Sequence, residues 1–220
     1  MCRVRPRVDV TQAPSRQSFP LFEQTAQWFE RAHAALLGEL PCRKGCSHCC
    51  VGIFPVTVLD QQVIQFGLSQ LPDSHRNRIV EIAATQVAHL TVAVPQLLTN
   101  RFVDHWPETD CEQVIEQYSD WPCPALESDG GCAIYQFRPL VCRSMGIPSE
   151  DDGCVNGACA VQTSIPLIRL SNALREEEDR LAALEADELE ALRRQQGVEG
   201  EEMLLPFAFL PETSAQVISV

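Results

Sequence analysis

The segment Cys42-Arg43-Lys44-Gly45-Cys46-Ser47-His48-Cys49-Cys50 holds four of the eleven cysteines of this 220-residue chain. A second group follows at Cys123, Cys132 and Cys142, with Cys154 and Cys159 shortly after. Thiolates are soft ligands that select zinc, copper(I) and iron–sulfur clusters over hard ions such as magnesium or calcium. The Cys46-x2-Cys49 spacing lets two thiolates of one turn reach one metal centre, and Gly45 allows that turn to be tight. Adjacent Cys49 and Cys50 are expected to point apart and to serve two sites, or one metal and one exposed position. A zinc ribbon repeats Cys-x2-Cys. Here the second half runs Cys123-x8-Cys132-x9-Cys142 instead. The two groups read as halves of one metal-binding unit brought together by folding. Clustered thiolates need positive charge nearby, and Arg138, Arg143, Arg43 and Lys44 are the candidates. For Arg138 the alternative is a surface ion pair.

Other chemistries account for fewer of these residues. The odd cysteine count fits a disulfide framework poorly. The first residues carry arginines with no apolar run behind them, unlike a secretory signal. A cytoplasmic, reducing location is therefore expected, where stable disulfides are rare. Cys142 beside Arg143 has the surroundings of a lowered-pKa nucleophile, but ligation explains more cysteines at once. No glycine-rich phosphate fingerprint and no Ser–His–Asp pattern stands out, so the catalytic residues are unknown and enzyme status stays open. The formal net charge of −13 argues against nucleic acid, whose phosphates need a basic face, and against an anionic membrane surface. No stretch approaches the roughly 18 apolar residues of a membrane span.

The elements that must position the cysteines read as mainly α, a helical domain with irregular cysteine-rich loops organised by metal. Residues 1–17 read as a flexible tail, with Cys2 a bystander. Phe22, Phe29 and Leu36 recur at seven, beside Trp28 and Ala32, and mark a buried helix face. Ser18 is its expected N-cap, Pro20 suits its first turn, and Gly38 and Pro41 end it. Residues 53–58 are too short and punctuated to assign as a strand. Thr57 is expected to cap a helix to about Leu71, with Asp60 in its first turn. A longer helix follows from Asp73 or Ser74, its face marked by Ile79, Ala83, Val87, Leu90, Val94 and Leu98. Pro95 should kink or split it. His75, Arg76 and Arg78 are expected to be solvated, and His89 and His105 to be non-ligands. A short helix is expected over 109–118, with Cys111 a small buried hydrophobe. Residues 121–159 look irregular, held by metal more than by a backbone ladder. After Pro166 a leucine stripe through Leu167, Leu170, Leu174, Leu181, Leu184, Leu189 and Leu192 marks a last helix to about Gln196. Its run Glu176–Asp179 reads as a solvated face. Residues 203–210 are apolar and should dock as a strand or an arm. The chain divides on this reading into the tail, a cysteine-cluster domain over 18–165, and an acidic helix with an apolar tail over 166–220 packed on the same domain.

Together, Cys42-x3-Cys46-x2-Cys49-Cys50, Cys123-Pro-x-Leu, Cys132-x-Ile134-Tyr135, Arg138-Pro139 and Cys142-Arg143 resemble the bacterial CxxCxxCC cysteine-cluster family. That family, also named after its YkgJ members, is described as a zinc- or iron-chelating domain. The resemblance covers roughly residues 41–146. It implies Cys42, Cys46, Cys49, Cys50, Cys123, Cys132 and Cys142 as metal ligands, and Cys154 because members often carry another cysteine after the Cys-Arg pair. Three functions follow. One is a 4Fe–4S iron–sulfur or iron protein with no assigned reaction. Another is a structural or buffering zinc module acting through a protein partner. The third is a lysine N-methylase-like enzyme, because flagellin lysine N-methylase is similar in this signature. The partner or substrate is unknown.

Overall fold

A computed structural model describes residues 19–36, 45–151, 154–156, 169–197 and 200–211. The tail over 1–17, the proposed cap Ser18, and Cys2, Cys42 and Cys159 lie outside them. Helix α1 (Pro20–Ala35) starts at a proline, whose missing N–H costs nothing in a first turn. It stops at Ala35, before the expected Gly38. Strand β1 (Pro55–Thr57) runs into α2 (Val58–Ser69). The junction is a capping box: Thr57 Oγ accepts from the Asp60 N–H, and the Asp60 carboxylate accepts from the Thr57 N–H. Helix α3 (Asp73–Ala93) ends ahead of Pro95, and a 3-10 turn spans Pro95–Leu98. The split changes the phase of the apolar face. Leu97 is buried and Leu98 is 49 % exposed, opposite to what an unbroken stripe through Leu98 requires.

Helix α4 spans Glu108–Gln117, and α5 spans Leu140–Ser144 directly after Pro139. Strands β2 (Ser149–Asp151) and β3 (Cys154–Asn156) pair antiparallel. Helix α6 (Asn172–Gln196) is capped by Ser171, whose hydroxyl accepts from the Leu174 N–H. Gly197, at φ 62°, ends it in the left-handed conformation. Strand β4 (Glu202–Leu204) pairs antiparallel with β1, Val56 opposite Met203, and α7 (Leu205–Ala208) follows. The short segment at 55–57 is thus a strand because a distant apolar segment supplies its partner. The chain is mainly α, as expected.

Helix α1 lies on α6 and α5, and α7 on α3. Trp28, 1 % exposed, drops its ring into the first junction while its Nε1 donates to the Leu174 carbonyl at 2.9 Å. Burying such a ring is worth about 3 kcal/mol or slightly less. The stripe of α6 is imperfect: Leu181 and Leu189 are buried, but Leu184 is 41 % exposed. The acidic run is likewise not wholly solvated. Glu177 pairs with Arg31 of α1, and Glu178 with Arg175 at 2.6 Å. No helix among the described residues is long and apolar enough to cross a membrane.

Candidate metal centre

The two cysteine groups meet through backbone hydrogen bonds. The Cys123 N–H donates to the Cys50 carbonyl at 2.8 Å, and the Gly52 N–H to the Trp121 carbonyl at 2.6 Å. Val51 and Pro122 form the antiparallel bridge between them. Gln86 of α3 steadies this seam, its Nε2 donating to the Pro122 carbonyl at 2.8 Å. Beyond it the chain folds back as a narrow loop. Leu126 bridges Cys132, and Ala133 N–H donates to the Ala125 carbonyl at 2.9 Å. The loop tip turns at Gly130, φ +80°, where a Cβ would stand 3.0 Å from the Gly45 carbonyl oxygen. The Gly130 turn therefore approaches the Gly45 turn of the other cysteine group more closely than a side chain at Gly130 would allow. Arg78 pairs with Glu127 at 2.6 Å and ties this loop to α3, so Arg78 is not merely solvated. The segment is irregular, as expected, yet it carries a partial backbone ladder of its own.

Six thiols, those of Cys46, Cys49, Cys50, Cys123, Cys132 and Cys142, line one cavity of about 80 Å³. The space is several times the roughly 10–15 Å³ that one water-sized sphere occupies. Arg138 and Tyr135 complete its polar wall, and Phe29, Phe54, Leu205 and Phe209 its apolar one. All six thiols are half-buried and free. Cys49 and Cys50 both line this cavity. The 3-10 turn His48–Cys50 carries both. The neighbouring Cys50 thiol, with burial, pushes the Cys49 thiol well up. Burial pushes Cys123 up to about 12, raises Cys132, and raises Cys142 strongly. Cys49, Cys123 and Cys132 each add to the rise at Cys142, so these four thiols lie within electrostatic reach of one another. Without a metal they carry their protons. A bound cation reverses that preference.

The donor set fits a soft metal. Among the described residues, no three His, Cys, Asp or Glu side chains form a group that could hold a metal ion as they stand. The thiols ring a cavity without closing on one point. Cysteine turns about a single side-chain torsion, so rotation there would let the ring contract. Cys42 lies outside the described residues. For Cys154 the backbone is placed in β3, and its side chain is outside the description. Cys111 is half-buried on α4 and lines no part of the cavity.

Three supports hold the Cys142 side of the cavity, and the sequence reading gave them no such role. Asp60, 2 % exposed, accepts from the Leu140 N–H at 2.7 Å and from the Thr57 N–H at 3.0 Å. One buried carboxylate thus seats the first turn of α5, which carries Cys142, on the first turn of α2. Burial raises the Asp60 carboxyl, and its backbone donors oppose that rise. Arg143, 5 % exposed, turns away from the thiols. Its Nε donates to the Arg138 carbonyl at 3.0 Å and its Nη2 to the Gln136 carbonyl at 2.6 Å, while burial lowers it to about 10. Phe137 stacks edge-on against Phe66 at 5.3 Å between centroids and fills the space over Gly67, where a Cβ would lie 2.7 Å from its own. The Thr57/Asp60 capping pattern was the one signal in the sequence for the first of these.

Residues 41–160 match the CxxCxxCC family, described as "Putative zinc- or iron-chelating domain". No curated protein and no solved structure matches the chain.

Proposed function

The chain belongs to the CxxCxxCC family of zinc- or iron-chelating cysteine clusters, and from that premise we propose that it binds an iron–sulfur cluster of the 4Fe–4S type. Cys49, Cys123, Cys132 and Cys142 are its principal ligands. Cys42, Cys46, Cys50 and Cys154 are the further thiols, enough for a second metal. The observation that carries this reading is the ring of six thiols around one cavity; among the described residues no three of them stand ready to hold a single ion. A tetrahedral zinc site draws four ligands to about 2.0–2.3 Å of one point, whereas a cubane spreads its thiolates over four irons. When bound, such a cluster supplies one-electron transfer. The chain's own residues hold and shield it: the seam at 50–52 and 121–123 fixes two thiols, Asp60 and Arg143 fix the turn that brings a third, and Phe54 and Phe209 keep water from one wall. A reducing, cytoplasmic setting keeps the thiols available.

Anaerobic purification, with iron, zinc and acid-labile sulfide measured on the same sample as its visible spectrum, tests the proposal. Iron and sulfide in near-equal amounts with a broad visible band are expected. Stoichiometric zinc in a colourless protein, with no cluster formed on reconstitution, sinks it and leaves the structural zinc module.

A further inference from the structure

Arg138 stands apart from the other cations near the thiols. Its guanidinium carbon lies 3.9 Å from the centroid of the Tyr135 ring, a stacked cation–π contact. Its Nε is buried and has no hydrogen-bond partner among the described residues. No carboxylate among the described residues pairs with it within ion-pair distance. A buried donor left unsatisfied is unfavourable, and an acceptor arriving in the cavity would relieve it. Its surroundings indicate which. Arg138 lines the thiol cavity, and its charge favours the ionised forms of Cys49 and Cys132.

The backbone at this position is fixed twice. Pro139 restricts Arg138 to extended conformation, and it stands at φ −66°, ψ 148°. Arg143 then clamps the Arg138 carbonyl from behind. Arg143 spends its donors on two carbonyls and faces the Phe22 ring, so it is not available to the thiols. The two arginines of the Arg-Pro and Cys-Arg elements therefore divide their work, one holding the turn and one facing the cavity.

We infer that Arg138 is the positioning counter-charge of the metal centre, a fixed cation that hydrogen-bonds to ligated sulfur and sets how tightly the thiolate ring holds its metal. This rests on the metal-binding reading proposed above. Removing a group that hydrogen-bonds to a metal ligand typically costs about 10–100-fold in metal affinity. Loss of Arg138 should therefore weaken metal binding by about tenfold or more.

The test is chelator competition with Zn(II), under anaerobic conditions at neutral pH, on the whole chain as wild type, R138Q, R138M and R138K, with the helical circular dichroism of each. The two neutral variants should bind zinc about tenfold more weakly at unchanged helix content, and R138K should recover most of the loss. In protein reconstituted with iron and sulfide, R138Q should also shift the midpoint potential to more negative values, which loss of packing alone does not require. Wild-type zinc affinity in folded R138Q or R138M overturns the inference, and so does R138K as weak as R138Q. If neither neutral variant folds, R138K decides alone, near-wild-type affinity supporting the counter-charge and a tenfold loss overturning it. A wild-type chain that takes up neither zinc nor iron overturns the metal-binding reading itself, an outcome separate from the others.

Discussion

Loading the cavity with metal should release about four protons. The ordinary thiol value is 9.0, and Cys49, Cys123, Cys132 and Cys142 are all raised above it, Cys123 to about 12. At pH 7 even a thiol with a pKa of 9.0 is only about 1 % ionised, so each of the four enters the reaction protonated. Metal ligands must be thiolates, so each of them sheds its proton on binding. Proton linkage then gives a steep dependence. While all four remain protonated in the free chain, the apparent association constant should rise by about four decades per pH unit. The assay is anaerobic calorimetric titration of the whole chain with Zn(II) at pH 7, in two buffers of different ionisation heat. The slope of observed heat against buffer heat counts the protons. C132S should lower the count by about one, and C111S, at a half-buried thiol outside the cavity, should leave it unchanged. Release of one proton or fewer at full loading refutes ligation by these protonated thiols.

Asp60→Ala removes the acceptor of the Leu140 and Thr57 N–H groups and leaves the buried Leu140 donor unsatisfied, for a loss of about 3 kcal/mol. Urea denaturation measures it, and a change under about 0.5 kcal/mol would show that α5 is seated by something else. Glu185 on α6 is pushed up from 4.5 to about 7, by burial first and then by Asp60 and Glu202. The folded chain holds this proton more tightly than the unfolded one, so stability falls as pH rises from about 4.5 to about 7 and stays lower above. Glu185→Gln should therefore raise the melting temperature at pH 8 and change it little at pH 4.5, with solvent screening limiting the gain. An equal change at both pH values would remove the electrostatic cause.

Most of the helices were legible in the sequence because their signals are local. Thr57 with Asp60, the proline at position 20 and the 3.6-residue apolar spacing of 79–90 all act within one or two turns. The seam between the cysteine groups was legible only as a need for the two halves to meet. Its register depends on Cys123 finding the Cys50 carbonyl across seventy-odd residues, and no local pattern encodes that pairing. The strand at 55–57 stayed hidden for the same reason, since its partner lies at 202–204. Neighbouring side chains diverge in extended chain, but Cys49 and Cys50 stand in a 3-10 turn and line the same cavity. The acidic run on α6 looked solvated because charge alone was visible, and Arg31 of α1 was not.

The matched segment does not close its own cavity. Residues 41–160 supply the thiols, Arg138 and Tyr135, but Phe29 comes from α1, and Leu205 and Phe209 from the far end of the described chain. Those three side chains are buried, and each belongs to the same apolar core as Trp28 and Ile64. The core therefore ends at the metal cavity instead of beside it. A wall of this kind lowers the local dielectric, which strengthens every thiolate–metal and arginine–thiolate interaction inside. It also links the two halves of the molecule's physics. The helices at either end are held by burial, and that burial sets the polarity of the space in which the cysteines work.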